Sequence, residues 1–328
     1  MIYYRPFHND DPPALARLWN AAVPGAVAAV PLRAHELDDS AFNSIIFDRE
    51  GLIVAERDGR PAGFVHAGFG PADIDADPRP RLDPSMGVVA MLAVEPGEGE
   101  HELGMGLVVE AERYLRRRGA QVLYGGGSRP LNPFYWGIHG GSEAAGVPSS
   151  HHQFSSALTS LGYEPTGTAV HLHFDLARPD PREPRGVLLR RQVEVATEED
   201  PRPASWWEGL ALDAFHPARA SLRLRDGDLE VASARTWDMS WFGRSDGRPR
   251  LGVFAVEVDP AHRRKGYARH LLADILRSAR ERGFATVEVQ TQVDNEPALA
   301  LYECLDFEPV EQSTVFRLPA PFPDRSRP

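Results

Sequence analysis

Hydrophobic positions along this chain run through the same succession of periods twice. In the second pass the β-branched run Val253–Val258 stops at Asp259-Pro260. A helical stripe follows, with Ala268, Leu271, Leu272, Ile275, Leu276 and Ala279 at i, i+3, i+4, i+7, i+8 and i+11. Arg280 to Gly283 end that helix. A strand over 285–291, a helix over 296–304, the corner Leu305-Asp306-Phe307 and a strand over 313–318 complete the pass. The first pass has a strand from Val88 to Pro96, a glycine-rich turn over 97–106, and a helix with Leu107, Val108, Ala111, Tyr114 and Leu115 as its apolar stripe. Arg116, Arg117 and Arg118 before Gly119 suit a helix C-terminus. A strand over 121–124, a Gly/Pro/aromatic loop over 125–150, a helix from His152 to Leu161, the corner Leu161-Gly162-Tyr163 and a strand from Ala169 to Asp175 keep the same order.

Each pass has a similar lead-in. The first opens with a short strand (Met1 to Tyr4), a helix from Pro12 to Ala22 and a weaker helical stretch over 32–46. A hairpin over 51–68, turning at Asp58-Gly59, and a Pro/Asp-rich loop over 71–86 follow. The second opens with a strand from Leu188 to Val195, a helical stretch from Trp206 to Phe215 and a hairpin turning at Arg225-Asp226-Gly227-Asp228. Between the passes, residues 178–186 have the Pro-rich, charged composition of a linker. The spacing predicts an internal duplication, with domains over 1–177 and 187–320. Gly266 lies six residues past Pro260, and in the first pass Gly104 lies eight past Pro96.

Composition narrows the function classes. The 328 residues carry a net charge of −11, which disfavours nucleic acid as a partner, and the basic cluster His262 to Lys265 is too small to change that. One cysteine, Cys304, excludes an internal disulfide and fits the cytoplasm. No apolar run approaches the roughly 20 residues that span a bilayer, so no membrane association is expected. The N-terminus lacks the apolar core of a signal peptide. His171 and His173 share a strand face but lack further ligands at metal-binding spacing, so no metal is expected.

The chemistry concentrates between Val253 and Phe307. A strand runs through a basic turn straight into a helix N-terminus, where free N–H groups and the helix dipole favour an anion such as a phosphate. Gly266 and Ala268 let the backbone approach a diphosphate, and N–H groups from about Arg264 to Arg269 can bond its oxygens. A dinucleotide-binding turn would want a third glycine and a later acidic residue, which do not fit here.

Arg263-x-x-Gly266-x-Ala268 resembles the coenzyme A pyrophosphate motif of the GNAT (GCN5-related) N-acetyltransferase superfamily. Asn295-x-x-Ala298-x-x-x-Tyr302-x-x-x-Asp306-Phe307 resembles that family's later helix, with Asp306 where glycine is usual. The resemblance implies an α/β fold with a mixed sheet, as two tandem GNAT domains. It also implies acetyl-CoA as co-substrate, held by Val256, Val258, Arg263, Arg264, Lys265, Gly266, Tyr267, Ala268, Arg269 and Asn295. In the first pass Gly104-x-Gly106 is in place, but His101 stands at the basic position among Glu98, Glu100 and Glu102, and Leu158 aligns with Tyr302. That copy is expected to keep the scaffold and lose the chemistry.

Acetyl transfer to an amine needs a base to free the nitrogen lone pair and an acid to protonate the leaving thiolate. The family's matching tyrosine makes Tyr302 the acid. Glu257, pointing opposite to Val256 and Val258, is the expected base, with Asp238 and Glu288 as rivals. Cys304 reads as packing, since direct attack needs no thiol nucleophile. The loop Asn132 to Glu143 either packs its own aromatics over the sheet or walls the substrate site. The acceptor is a small-molecule or peptide amine of unspecified identity, and a homodimer stays open. The alternatives are a non-catalytic acyl-CoA sensor and an enzyme for longer acyl-CoA.

Overall fold

Helix α1 (Pro12–Ala22) shows how the first half is assembled. Proline fills its first turn, where no hydrogen-bond donor is needed, and Leu15, Leu18 and Trp19 form a fully buried stripe. The computed structural model describes residues 1–24, 27–73, 81–227, 229–319 and 321–323. Part of the Pro/Asp-rich loop and Asp228 of the second hairpin turn lie outside the described residues.

Strand β1 (Ile2–Pro6) precedes α1, and a single helical turn α2 (Ala34–Leu37) follows it. Strands β2 (Leu52–Arg57) and β3 (Arg60–Pro71) form the predicted hairpin, with Asp58 and Gly59 both at positive φ (53° and 77°) as a type I′ turn requires. Strand β4 (Leu82–Val94), helix α3 (Glu100–Arg117), β5 (Val122–Gly125), the two-residue β6 (Val147–Pro148), α4 (His152–Ser160) and β7 (Glu164–Asp175) complete this half. The second half contains α5 (Gly186–Gln192), β8 (Val193–Glu199), α6 (Trp206–Leu212), β9 (Ala218–Leu224), β10 (Glu230–Asp238) and β11 (Arg250–Val258). It ends with α7 (Tyr267–Glu281), β12 (Thr286–Gln292), α8 (Glu296–Glu303) and β13 (Glu308–Leu318).

All strands join one sheet, in the order β1-β2-β3-β4-β5-β13-β7-β12-β11-β10-β9-β8, with β6 attached to β13. The order reads symmetrically from both edges, and its centre is an exchange. The last strand of the second half, β13, pairs antiparallel with β5 of the first; the last strand of the first half, β7, pairs antiparallel with β12 of the second. β13 and β7 pair with each other between them. A hydrophobic core crosses the same boundary: Trp19, Phe64 and Phe134 pack in one cluster with Trp237, Phe242 and Phe254.

Three expectations change. Residues 186–192 are helix α5, and the strand begins only at Val193. The linker is strapped to α7, where His270 bonds Glu183 at 2.6 Å and Arg280 bonds the Arg178 carbonyl at 2.7 Å. The third concerns the first glycine-rich turn. Gly119 follows Pro96 by 23 residues and Gly283 follows Pro260 by the same 23. Yet α3 starts right after Gly99 and has 18 residues, while α7 starts after Gly266 and has 15. Three residues that form loop in the second half are wound into helix in the first. Gly104 and Gly106 therefore lie inside α3, and the spacing match with Gly266 does not hold in space.

Because β5 and β7 depend on strands of the other half, residues 1–177 expressed alone leave an apolar sheet edge unpaired. The fragment should aggregate or self-associate in size-exclusion chromatography; a monomeric fragment that unfolds cooperatively would contradict this dependence.

Candidate active site

The second half opens a gap in the sheet. β11 and β12 pair in parallel only from Arg250 to Gly252 against Thr286 to Glu288. Beyond that point β11 bulges. Ala255 takes φ 47°, and the register against β10 slips between Ser233 and Arg235. The strand end from Val256 to Val258 is then left without β12 along its edge, and its side chains are half-buried or exposed. Such an edge can pair with an extended ligand.

At the end of β11 the chain makes a basic turn. The Asp259 carboxylate accepts from the Ala261 N–H at 2.8 Å, and Arg263 Nε bonds the Val258 carbonyl at 3.3 Å. Arg264 (φ 61°) and Gly266 (φ 90°) both adopt left-handed conformations, the first at a cost of about 1 kcal/mol. Gly266 is the N-cap of α7 and no side chain caps that helix, so its first N–H groups are left for a ligand. Arg263, Arg264, Lys265 and Gly266 are exposed, Ala268 and Arg269 half-buried, and Tyr267 is packed inside. Asn295 caps α8, accepting from Ala298 N at 3.4 Å and donating to Thr291 Oγ1 at 3.0 Å, which gives it a local structural task.

The corresponding place in the first half is filled. Glu100 accepts from the Gly97 N–H at 2.9 Å, and Gln153 of α4 reaches the Val94 N–H at 3.4 Å. Leu158 is fully buried and would clash with any Cβ at Gly125. A glutamate thus occupies the turn before α3, and a glutamine covers the end of β4.

Tyr302 on α8 is 5% exposed, and its hydroxyl pKa is pushed up to about 12 by burial and, secondarily, by the Glu143 carboxylate. Glu143 belongs to the aromatic loop of the first half, which spans the gap. The Gly141 N–H bonds Glu288 on β12, Ser142 Oγ donates to the Val253 carbonyl on β11 at 2.7 Å, and Trp237 Nε1 on β10 donates to the Ser142 carbonyl at 2.8 Å. Phe134, Tyr135 and Trp136 of the same loop are buried, so the loop both packs itself and walls the gap.

The rival bases separate clearly. Glu288 is fully buried and held by Gly141, by His173 Nε2 at 2.9 Å and by Arg250 at 3.3 Å. Burial pushes its pKa up, but His173, Arg244 and Arg250 outweigh that and hold it well below the usual range, which makes it an anchor. Asp238 caps a turn at Ser240. Glu257 is exposed, opposite Ser233, on the sheet face that also carries Arg219 and Arg235. His171 and His173 go to different partners, Ser313 and Glu288. Glu143 entered the sequence reading only as the end of the aromatic loop, next to Arg129, and Glu208 and Arg235 escaped it. Only the odd composition of the loop hinted at the first two.

The family model for the Acetyltransferase (GNAT) family matches residues 190–307. Among solved structures, a tandem GNAT protein from the clavulanic acid biosynthesis pathway superposes over 97% of this chain and 98% of its own, with TM-score 0.67 at 16% identity. A GCN5-related N-acetyltransferase from Sphaerobacter thermophilus covers 96% of this chain and 95% of its own, with TM-score 0.63 at 16% identity. The fold is a tandem GNAT fold. Among curated proteins, the mycothiol acetyltransferase of Brachybacterium faecium is 30% identical over 174 residues, 46% of this chain and 51% of that protein. That of Thermobifida fusca is 25% identical over 252 residues, 69% of this chain and 73% of that protein. The chain spans about half the length of the first two curated relatives it matches. The likeness to the GNAT family thus rests on residues 190–307 in sequence and on the whole chain in fold.

Replacing Glu288 by glutamine leaves Arg250 and Arg244 without their buried counter-charge and should lower stability by about 3 kcal/mol in urea denaturation. Because the folded-state pKa is depressed, the carboxylate's contribution is complete above about pH 5 and is lost as pH falls through the acid range. The variant should therefore show a flatter acid limb; an unchanged limb would mean that Glu288 does not anchor the loop electrostatically.

Proposed function

We propose that this chain is an acetyl-CoA-dependent N-acetyltransferase with its active centre in the second half, acting on a primary amine by direct attack in a ternary complex. The observation that carries this reading is the uncapped basic start of α7 directly after the bare edge of β11. Domains over 1–177 and 187–320 and a cytoplasmic location belong to the same reading. Among the described residues no helix is long and apolar enough to cross a membrane.

The residues fit coenzyme A. The turn over Arg263 to Ala268 offers N–H groups and cations to a diphosphate, and the bare edge at Val256 and Val258 suits the amide-bearing pantetheine arm. Bound acetyl-CoA supplies an acyl group activated as a thioester. Tyr302, kept protonated by burial, holds a proton inside the gap for the leaving sulfur. Glu257 and Arg219 line the open sheet face along which the acceptor arrives, and Glu257 attracts it in its ammonium form. The loop at Gly141 and Ser142 closes the floor of the gap beneath Val253, which supports an acetyl group over a longer acyl chain. The filled turn and covered strand of the first half support scaffold duty there.

Gly266→Glu places a side chain at φ 90° and a negative charge in the turn. It should abolish coenzyme A binding in calorimetry with the circular dichroism spectrum unchanged; retained affinity would remove the turn from the site. Tyr302→Phe should lower kcat by about 100-fold with little change in acetyl-CoA affinity. Equal turnover would place the acid elsewhere.

A further inference from the structure

The two halves meet at a carboxylate that the acetyltransferase reading leaves without a task. Glu143 stands one residue past Ser142, whose hydroxyl takes the Val253 carbonyl where β11 and β12 part company. That carbonyl lies just beyond the last β11–β12 pair, Gly252 with Glu288. Tethers at Gly141 and Ser142 reach β12, β11 and β10, so the backbone leading to Glu143 is fixed to the rim of the gap. Its side chain is four-fifths buried and meets Arg129 Nη1 at 3.5 Å.

The surroundings call for a donor. Glu208 Oε2 and Gln290 Oε1 are buried and have no hydrogen-bond partner in the protein. Glu208 acts electrostatically on Glu143, and Gln290 Oε1 is the nearest atom to any side chain that would be built on Gly141. Glu208 also pairs with Arg235. Gln290 Oε1 shares its place with the unpartnered His171 Nδ1, but Glu208 Oε2 and the Glu143 carboxylate fit a ligand rich in N–H groups, such as a primary ammonium.

We infer that Glu143, supplied by the first half, is the base of the reaction in the second half, an inference that rests on the acetyltransferase reading. The carboxylate takes one proton from the acceptor ammonium and frees the nitrogen lone pair. The lone pair forms the C–N bond to the acetyl carbon as the C–S bond breaks, and Tyr302 gives its proton to the departing sulfur. The second nitrogen proton returns to Tyr302 through water, and Glu143 releases its own proton to solvent. One proton is set free per turnover, as the conversion of ammonium and thioester to amide and thiol requires. Burial raises the Glu143 pKa and Arg129 opposes the rise. A carboxyl poised upward in this way is the stronger base for an amine whose own pKa is near 10.

The test compares two acceptors with different needs. Primary amines (spermidine, glucosamine, a peptide N-terminus) are screened by thiol release, and the best of them is set beside hydroxylamine, which is largely neutral at the assay pH and needs no base to attack. Glu143→Gln should lower kcat for the basic amine by about 100-fold and leave the hydroxylamine rate within about threefold, with acetyl-CoA affinity unchanged. Glu143→Asp should recover part of the loss. Equal losses with both acceptors would reduce Glu143 to a support of the loop, and no loss with either would place the base elsewhere; both overturn the inference. Tyr302→Phe, which slows both acceptors alike, reports on the acetyltransferase reading separately. Wild-type protein that binds acetyl-CoA yet transfers to none of these amines would overturn that reading and this inference with it.

Discussion

The exchange of terminal strands is the constraint on which the rest of the molecule depends. β13 lies between β5 and β7, and β7 lies between β13 and β12. Each half therefore obtains the strand next to its own β5-like element from the other. A backbone ladder of this kind is held by main-chain hydrogen bonds and does not slide by a residue without turning every side chain to the wrong face. It fixes the distance between the halves, and with it the reach of the aromatic loop across the gap between β11 and β12. The shared core around Trp19, Trp136, Trp237 and Phe254 fills the space that this rigid frame leaves.

The sequence carried the periodic features well. The succession of strands and helices, the hairpin at Asp58-Gly59, the strand ending in Val256 to Val258 and the helix start after Gly266 all rest on patterns a few residues long, because the physics behind them is local. What failed was non-local or balanced between outcomes. Residues 186–192 have the apolar positions of a short strand, but docking against α7 draws them into a helix. Gly104 and Gly106 look like a phosphate turn in spacing alone. The glutamates around them favour the first turn of a helix, and α3 takes them in.

The site was legible in the same proportion. The turn from Arg263 to Ala268 and Tyr302 are parts of motifs with local geometry; the turn opens α7 without a side-chain cap, and Tyr302 is buried on α8. Asn295 proved to be a helix cap, and Glu257 proved to be exposed. Glu143, Arg129 and Glu208 could not be found from spacing. Glu143 lies far from Tyr302 in the chain, and its place is fixed by the non-local tethers of Gly141 and Ser142 to β12, β11 and β10.

The equal span from proline to glycine in the two halves has a further consequence. Over that span the open turn and the filled one differ by no insertion or deletion, only in where the coil ends and the helix begins. The first half carries a strand, a core and a wall that the second cannot supply for itself. A substitution in either half is thereby felt in the other, and the two are held to change as a single inheritance.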